Sequence, residues 1–269
     1  MSCYTMRDLV LSTKTALEEL RDVEDQEEPG QFQQDADGTY VATIKIYYTK
    51  EFAAAESNVN VYISNMIAQA NACFKNSQTQ FRLRLLCTEQ LNNITENQPK
   101  ADILYQFEAI KENAANLRGT ADFAHLLVEN ASACGVAFAG GPLRAFGMSK
   151  RSCAIAYYTF SHEIGHNLGC WHDRARYEVD KSDNYYYGDL IPGTGHRTTL
   201  AYSAPNYRST VNLYSNPDVT FQNVPVGDDR NNCARTVREN ARAHANVGSD
   251  TNSCGRIANE KSNLKRKHS

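Results

Sequence analysis

The stretch that most constrains this chain is His162-Glu163-Ile164-Gly165-His166-Asn167-Leu168-Gly169-Cys170-Trp171-His172-Asp173, which reads H-E-x-x-H-x-x-G-x-x-H-D. On a helix, His162 and His166 are one turn apart and project from one face, so two imidazoles can meet one metal ion. Glu163 lies beside them, close enough to hold a water on that ion. Gly169 is where the chain leaves the helix, because glycine adopts the left-handed backbone at no steric cost. The turn lets His172 return as a third ligand. Three protein ligands leave one tetrahedral position open, the arrangement of a catalytic rather than a structural zinc site. The alternative is that these are ordinary helix residues. Five fixed positions of this kind coincide by chance on the order of once in a hundred thousand such chains.

Over Ser152–Asp173 the sequence resembles the signature of the metzincin metallopeptidases. The run from Glu163 to Gly169 and the trailing Asp173 are most similar to the reprolysin (adamalysin) branch and related bacterial secreted metzincins. The resemblance continues more weakly through Arg197–Pro217, and elsewhere it is an order of elements. It implies a zinc-dependent endopeptidase acting on a protein or peptide substrate. His162, His166 and His172 would hold one Zn2+, Glu163 would be the general base, and Asp173 would help to orient the site. Nothing in the sequence indicates calcium. A methionine-bearing turn lies beneath the metal in this family, and the matching position here is Leu200, a departure. Leucine and methionine are both apolar and similar in volume, so the packing role can survive. Tyr202 stands two residues on. In the astacin and serralysin branches a tyrosine at this offset reaches the zinc and stabilises the reaction oxyanion; the other reading is a tyrosine whose hydroxyl is satisfied locally. Two rivals to the enzyme are a protease-like binding protein without turnover and a structural zinc protein. The second would need a closed fourth ligand, for which Cys170 is the nearby candidate.

The chain has 269 residues, enough for one domain of good size or two small ones. A net charge of -3 gives no hint of nucleic acid, and no run of 18 apolar residues suggests a transmembrane helix. A monomer is expected. Eight scattered cysteines, without C-x-x-C spacing, favour disulfides over a cysteine metal site. Cys134 and Cys153 are one possible bridge; Cys233 can pair with Cys170 or Cys254. Asn93-Ile94-Thr95 and Asn130-Ala131-Ser132 are glycosylation triplets. Together these point to an oxidising, extracellular setting and a secreted protein. The N-terminus has no apolar signal core, which suggests a truncated gene model or an excised domain.

The expected organisation is an N-terminal helical and linker segment over 1–36, a possible pro-region remnant, then a catalytic domain over 37–250, then a disordered basic tail over 251–269. Within the domain, 37–169 would form an upper subdomain and 170–250 a smaller lower one. Alternation predicts strands over Tyr40–Tyr48 and Phe81–Cys87, with Ala124–Val128 as a buried strand and Cys134–Ala139 as a short one. Cys153–Tyr157 reads as a last strand leading directly into the motif helix. Helical spacing covers Val59–Phe74, Ile103–Leu117 and Asn232–Asn246. Asp180–Gly195 reads as a surface loop, whereas Ser215-Asn216-Pro217 and Val224-Pro225-Val226-Gly227 read as extended turns. The fold class is α/β (α+β): a mixed, mostly parallel twisted sheet with helices, an active-site helix, and an irregular lower part ending in a helix. In the metzincin arrangement the sheet's edge strand lies over the cleft and pairs with extended substrate, and the Cys134–Phe146 region is the candidate. His125, His196 and His244 fit no ligand spacing.

Overall fold

The computed structural model describes residues 34–110, 112–174 and 184–248. The segment 1–33 and the tail from 249, on which the pro-region and basic-tail expectations fall, lie outside them. The first strand, β1 (Tyr40–Thr49), is rich in branched and aromatic side chains and buries both faces. Alternate residues go to opposite sides of the sheet: Ala42, Ile44 and Ile46 to one core, Tyr47 to another. Thr49 ends the strand and caps α1 (Lys50–Ala55), its hydroxyl accepting the Phe52 N–H at 3.1 Å. Asn58 caps α2 (Val59–Asn76) in the same way, and this helix turns Ile63, Met66, Ile67, Ala70 and Phe74 inward.

The remaining sheet strands are β2 (Phe81–Leu91), β3 (Phe123–Val128), β4 (Gly135–Ala137) and β5 (Phe146–Lys150). Their order is β2-β1-β3-β5-β4, parallel throughout except for the antiparallel edge strand β4. Such a sheet needs cover on both faces. On one face lies the core built with α2, the motif helix and the C-terminal helix α7 (Cys233–His244). The other face is covered by α3 (Lys100–Ala109) and α4 (Ala114–Arg118).

Several expectations are corrected. The strand expected at Cys153–Tyr157 is instead α5 (Arg151–Ala154) and a turn, while the strand itself lies earlier, at β5. Phe146-Gly147-Met148-Ser149 is buried on both faces, so no polar alternation marks it. The single helix expected over Ile103–Leu117 is two, because Glu112 takes φ 72 and Asn113 caps a new start on the Asn116 N–H. In the lower part, the expected turns at 215–217 and 224–227 largely belong to a hairpin of β9 (Asn216–Phe221) and β10 (Val224–Val226). The expected loop over 180–195 contains β6 (Leu190–Ile191), paired with β7 (His196–Arg197), which in turn pairs with β8 (Ser209–Thr210). Tyr187, in the same segment, is buried and packs at a tilt against Tyr186. Disulfides join Cys134 to Cys153 and Cys170 to Cys233, the second settling the choice of partner for Cys233. Cys73 is a buried free thiol whose pKa burial pushes up to about 12.

Candidate metal centre

His162, Glu163 and His166 lie on α6 (Thr159–Asn167), whose other face packs Phe160 and Ile164 into the core. The helix ends at Gly169, where φ is +94. There the Cys170 N–H reaches back to the Gly165 carbonyl at 2.9 Å, and the chain reverses. The reversal is clamped to α7 by the Cys170–Cys233 disulfide and by Asn240, whose amide donates to the Leu168 carbonyl at 3.0 Å. His172 is thereby returned beside the helix.

The three imidazoles converge through one type of atom. His166 Nε2 lies 3.1 Å from His162 Nε2 and 3.0 Å from His172 Nε2. His162 Nδ1 sits 2.7 Å from the Thr199 carbonyl and His166 Nδ1 sits 2.8 Å from that of Cys170. A carbonyl can only accept, so both Nδ1 atoms carry the proton and both Nε2 atoms are bare. Burial pushes the pKa of His162 down to about 4 and of His166 to about 3, which keeps both rings neutral. Bare lone pairs at that range cannot bond one another; a cation between them satisfies all. Nitrogens ~2.0–2.1 Å from a tetrahedral zinc stand about 3.4 Å apart, close to what is found. Among the described residues, this triad is the cluster able to hold a metal ion. His125, His196 and His244 are elsewhere: against Ser149 and Phe160, against Thr194 and Phe221, and against Asn240, Asn167 and Phe123.

Glu163 is 4% exposed, and burial pushes its carboxyl up to about 8 against the opposing pull of the Lys100 ammonium. Its carboxylate is packed against the edge strand. A Cβ on Gly135 would stand 2.4 Å from Glu163 Oε1 and 2.7 Å from Thr159 Cγ2. In β4, Cys134 O and Phe138 N face β5, bonding Lys150 N at 2.7 Å and Phe146 O at 3.3 Å. In an antiparallel pair such bonding alternates, so Gly135 and Ala137 direct their peptide groups to the open edge. Asn167 fixes this edge to the helix, its amide donating to the Phe138 and Phe146 carbonyls at 2.8 and 3.0 Å.

Beneath the helix runs the turn Thr198–Ala201. Leu200 is fully buried there, and its Cδ2 would be 2.9 Å from a Cβ on Gly165, so the side chain lies directly under the motif. Asp173 Oδ2 accepts the Tyr202 N–H at 2.8 Å, joining the end of the motif to the turn. Tyr202 is 37% exposed, with its ring centroid 4.0 Å from that of His172. The sequence reading missed Gly135 and the Thr199 carbonyl. A glycine in a candidate edge strand was the one available signal; the carbonyl depends on a tertiary contact.

Residues 38–213 match a reprolysin model of metallo-peptidase family M12. The peptidyl-Asp metalloendopeptidase of Stenotrophomonas maltophilia (strain K279a) is 30% identical over 204 residues, covering 70% of this chain and 48% of that protein. That of Xanthomonas campestris pv. campestris is 27% identical over 197 residues, covering 70% and 47%. The chain thus spans about half the length of these curated relatives. A solved chain from a structure described as a chaperone-substrate complex superposes with a TM-score of 0.60 at 18% identity, covering 81% of this chain and 37% of that one, a likeness of fold alone. With the family match spanning the sheet, the three histidines and the turn beneath them, this chain belongs to metallo-peptidase family M12.

Proposed function

We propose that the protein is a zinc-dependent endopeptidase, with His162, His166 and His172 holding the metal and Glu163 acting as general base. The observation that carries this reading is the set of converging Nε2 atoms at 3.0 and 3.1 Å, two of them left bare by carbonyls on the far side of their rings. When bound, zinc supplies Lewis acidity, polarising the peptide carbonyl and acidifying a water towards pKa ~7. Glu163 takes the proton of the attacking water and passes it to the departing amine nitrogen. The open edge of β4 receives the substrate as an added strand, through the peptide groups of Gly135 and Ala137. Tyr202, beside His172 on the rim, donates its phenol to the developing oxyanion. Asp173 holds that residue's backbone in place.

The name of the bacterial relatives supports a preference for bonds at aspartate. The two described disulfides support an oxidising, extracellular workplace. Cleavage of casein, with and without a chelator, tests the activity. Glu163→Ala should keep its zinc while turnover falls by ~10²–10⁴-fold. Loss of zinc in that variant, or near-full activity, would refute the assignment of Glu163.

A further inference from the structure

Arg197 has a setting that its neighbours do not explain. It is half-buried at the end of β7, two residues before Thr199, whose carbonyl holds His162. Its Nε donates to the Ala201 carbonyl at 3.0 Å, and one terminal nitrogen donates to the Tyr207 carbonyl at 3.1 Å and to that of Arg208. The guanidinium thus closes the segment 201–208 into a loop beside Tyr202 and His172. Ala204 and Tyr207 pair across that loop, the Tyr207 N–H meeting the Ala204 carbonyl at 3.0 Å. The second terminal nitrogen, Nη2, has no acceptor among the described residues and is not sealed from solvent. Carbonyls orient a guanidinium without neutralising it, and no described carboxylate forms an ion pair with it. Asp173 acts on it through space, but one oxygen of that carboxylate is committed to the Tyr202 N–H. The result is a fixed, partly desolvated cation with one open edge, close enough to the triad for its field to reach His162.

We infer that Arg197 is the specificity-determining residue of this site, its Nη2 edge taking the carboxylate of an acidic substrate side chain next to the bond being cut. The inference rests on the peptidase reading above. A charge-assisted bond from a preoriented guanidinium discriminates a carboxylate from the isosteric amide, because the amide brings no charge to the desolvated cation. Lys100 is the competing cation: it starts α3, with its N–H on Ser132 Oγ at 3.3 Å, and its field also reaches the triad.

The test uses paired peptides that differ only as Asp or Asn beside the scissile bond. The zinc-loaded wild-type protein should prefer Asp by at least ~10-fold in kcat/KM. Arg197→Met should bring that ratio to about one, Arg197→Lys should keep part of it, and Lys100→Gln should leave it unchanged. A merely structural brace would lower both rates together and leave the ratio alone. Calorimetry of the same peptides on Glu163→Gln protein reads the discrimination without turnover. A ratio that survives Arg197→Met, or that disappears in Lys100→Gln instead, overturns the inference. A protein that cleaves both peptides equally overturns it too while leaving the peptidase reading intact. If no peptide is cleaved, that reading fails, and equal binding of the two peptides then overturns the assignment of Arg197 independently.

Discussion

Gly135→Ala is the smallest change that tests how the Glu163 carboxylate is held. The new methyl would lie 2.4 Å from Oε1, 2.9 Å from Cδ and 2.7 Å from Thr159 Cγ2. Ordinary contact needs roughly 1 Å more, so either the edge strand or the carboxylate must move by that amount. Overpacking of this kind costs about 1–3 kcal/mol of stability. A displacement of ~1 Å at a reacting group costs on the order of 10²-fold in rate, and this is the larger effect on the assay. The histidines are not among the atoms crowded by the methyl, so metal content should stay at the wild-type level. Turnover of a peptide substrate, zinc content and thermal melting, measured together, separate the outcomes. A fall of ~10²-fold in kcat with zinc retained and modest loss of melting temperature is expected. Wild-type kcat in a folded Gly135→Ala protein would refute the reasoning, because the carboxylate would then tolerate a shift that the mechanism forbids.

Removing the third imidazole should act differently from removing a distant one: His172→Ala should lose zinc and activity together, whereas His196→Ala, whose ring packs on Phe221, should keep both by metal analysis. Leu200→Met should be nearly neutral, within about 1.5 kcal/mol, since the volume under Gly165 is preserved. Leu200→Ala should cost ~2–5 kcal/mol by denaturant melting and weaken zinc binding; wild-type stability there would mean the turn does not support the site. His125 is buried with Nε2 on Ser149, and burial pushes its pKa from 6.5 down to about 3. The unfolded chain therefore binds a proton below pH 6.5 that the native state refuses, so its contribution is intact above that pH and lost as pH falls towards about 3. Acid unfolding curves of His125→Gln should be shallower across that window, by an amount on the order of a few kcal/mol.

What was legible in the sequence was local. An i, i+4 histidine pair, a glycine at the helix end and a third histidine at the interval of one reversal all lie within twelve residues, and backbone geometry alone joins them. The position of Leu200 came from the resemblance to metzincins, whose methionine-bearing turn follows the third histidine at about this distance. The central strand β5 was hidden because sheet neighbours on both edges and packing on both faces allow Gly147 and Ser149 as readily as valine. The segment after it misled for the opposite reason: Cys153–Tyr157 has strand-like composition, but the disulfide to Cys134 and the left-handed Tyr158, at φ 57, belong to a helical turn that aims α6. Gly135 and Thr199 meet Glu163 and His162 across 28 and 37 residues of sequence, and beyond a glycine in the candidate edge strand the residue pattern carries no trace of such pairings.

The three imidazoles are held by different parts of the chain, which bears on how the site is preorganised. His162 is oriented by the turn at Thr199, His166 by the carbonyl of Cys170, and His172 follows the reversal that the Cys170–Cys233 disulfide anchors to α7. The turn and the reversal are themselves joined by the bond from the Tyr202 N–H to Asp173. This surrounding frame brings the Nε2 atoms to within 3.0 and 3.1 Å of one another. A frame that holds the donors together is formed in the native chain and not in the unfolded one, and ligand binding to the native state alone stabilises the fold by mass action. Leu200 fits the same logic, since an apolar chain of methionine's volume fills the floor without adding an acceptor that would compete for the Nδ1 protons. The departure from methionine therefore falls on packing, while the hydrogen bonds that set both tautomers come from backbone carbonyls, which no side-chain substitution removes.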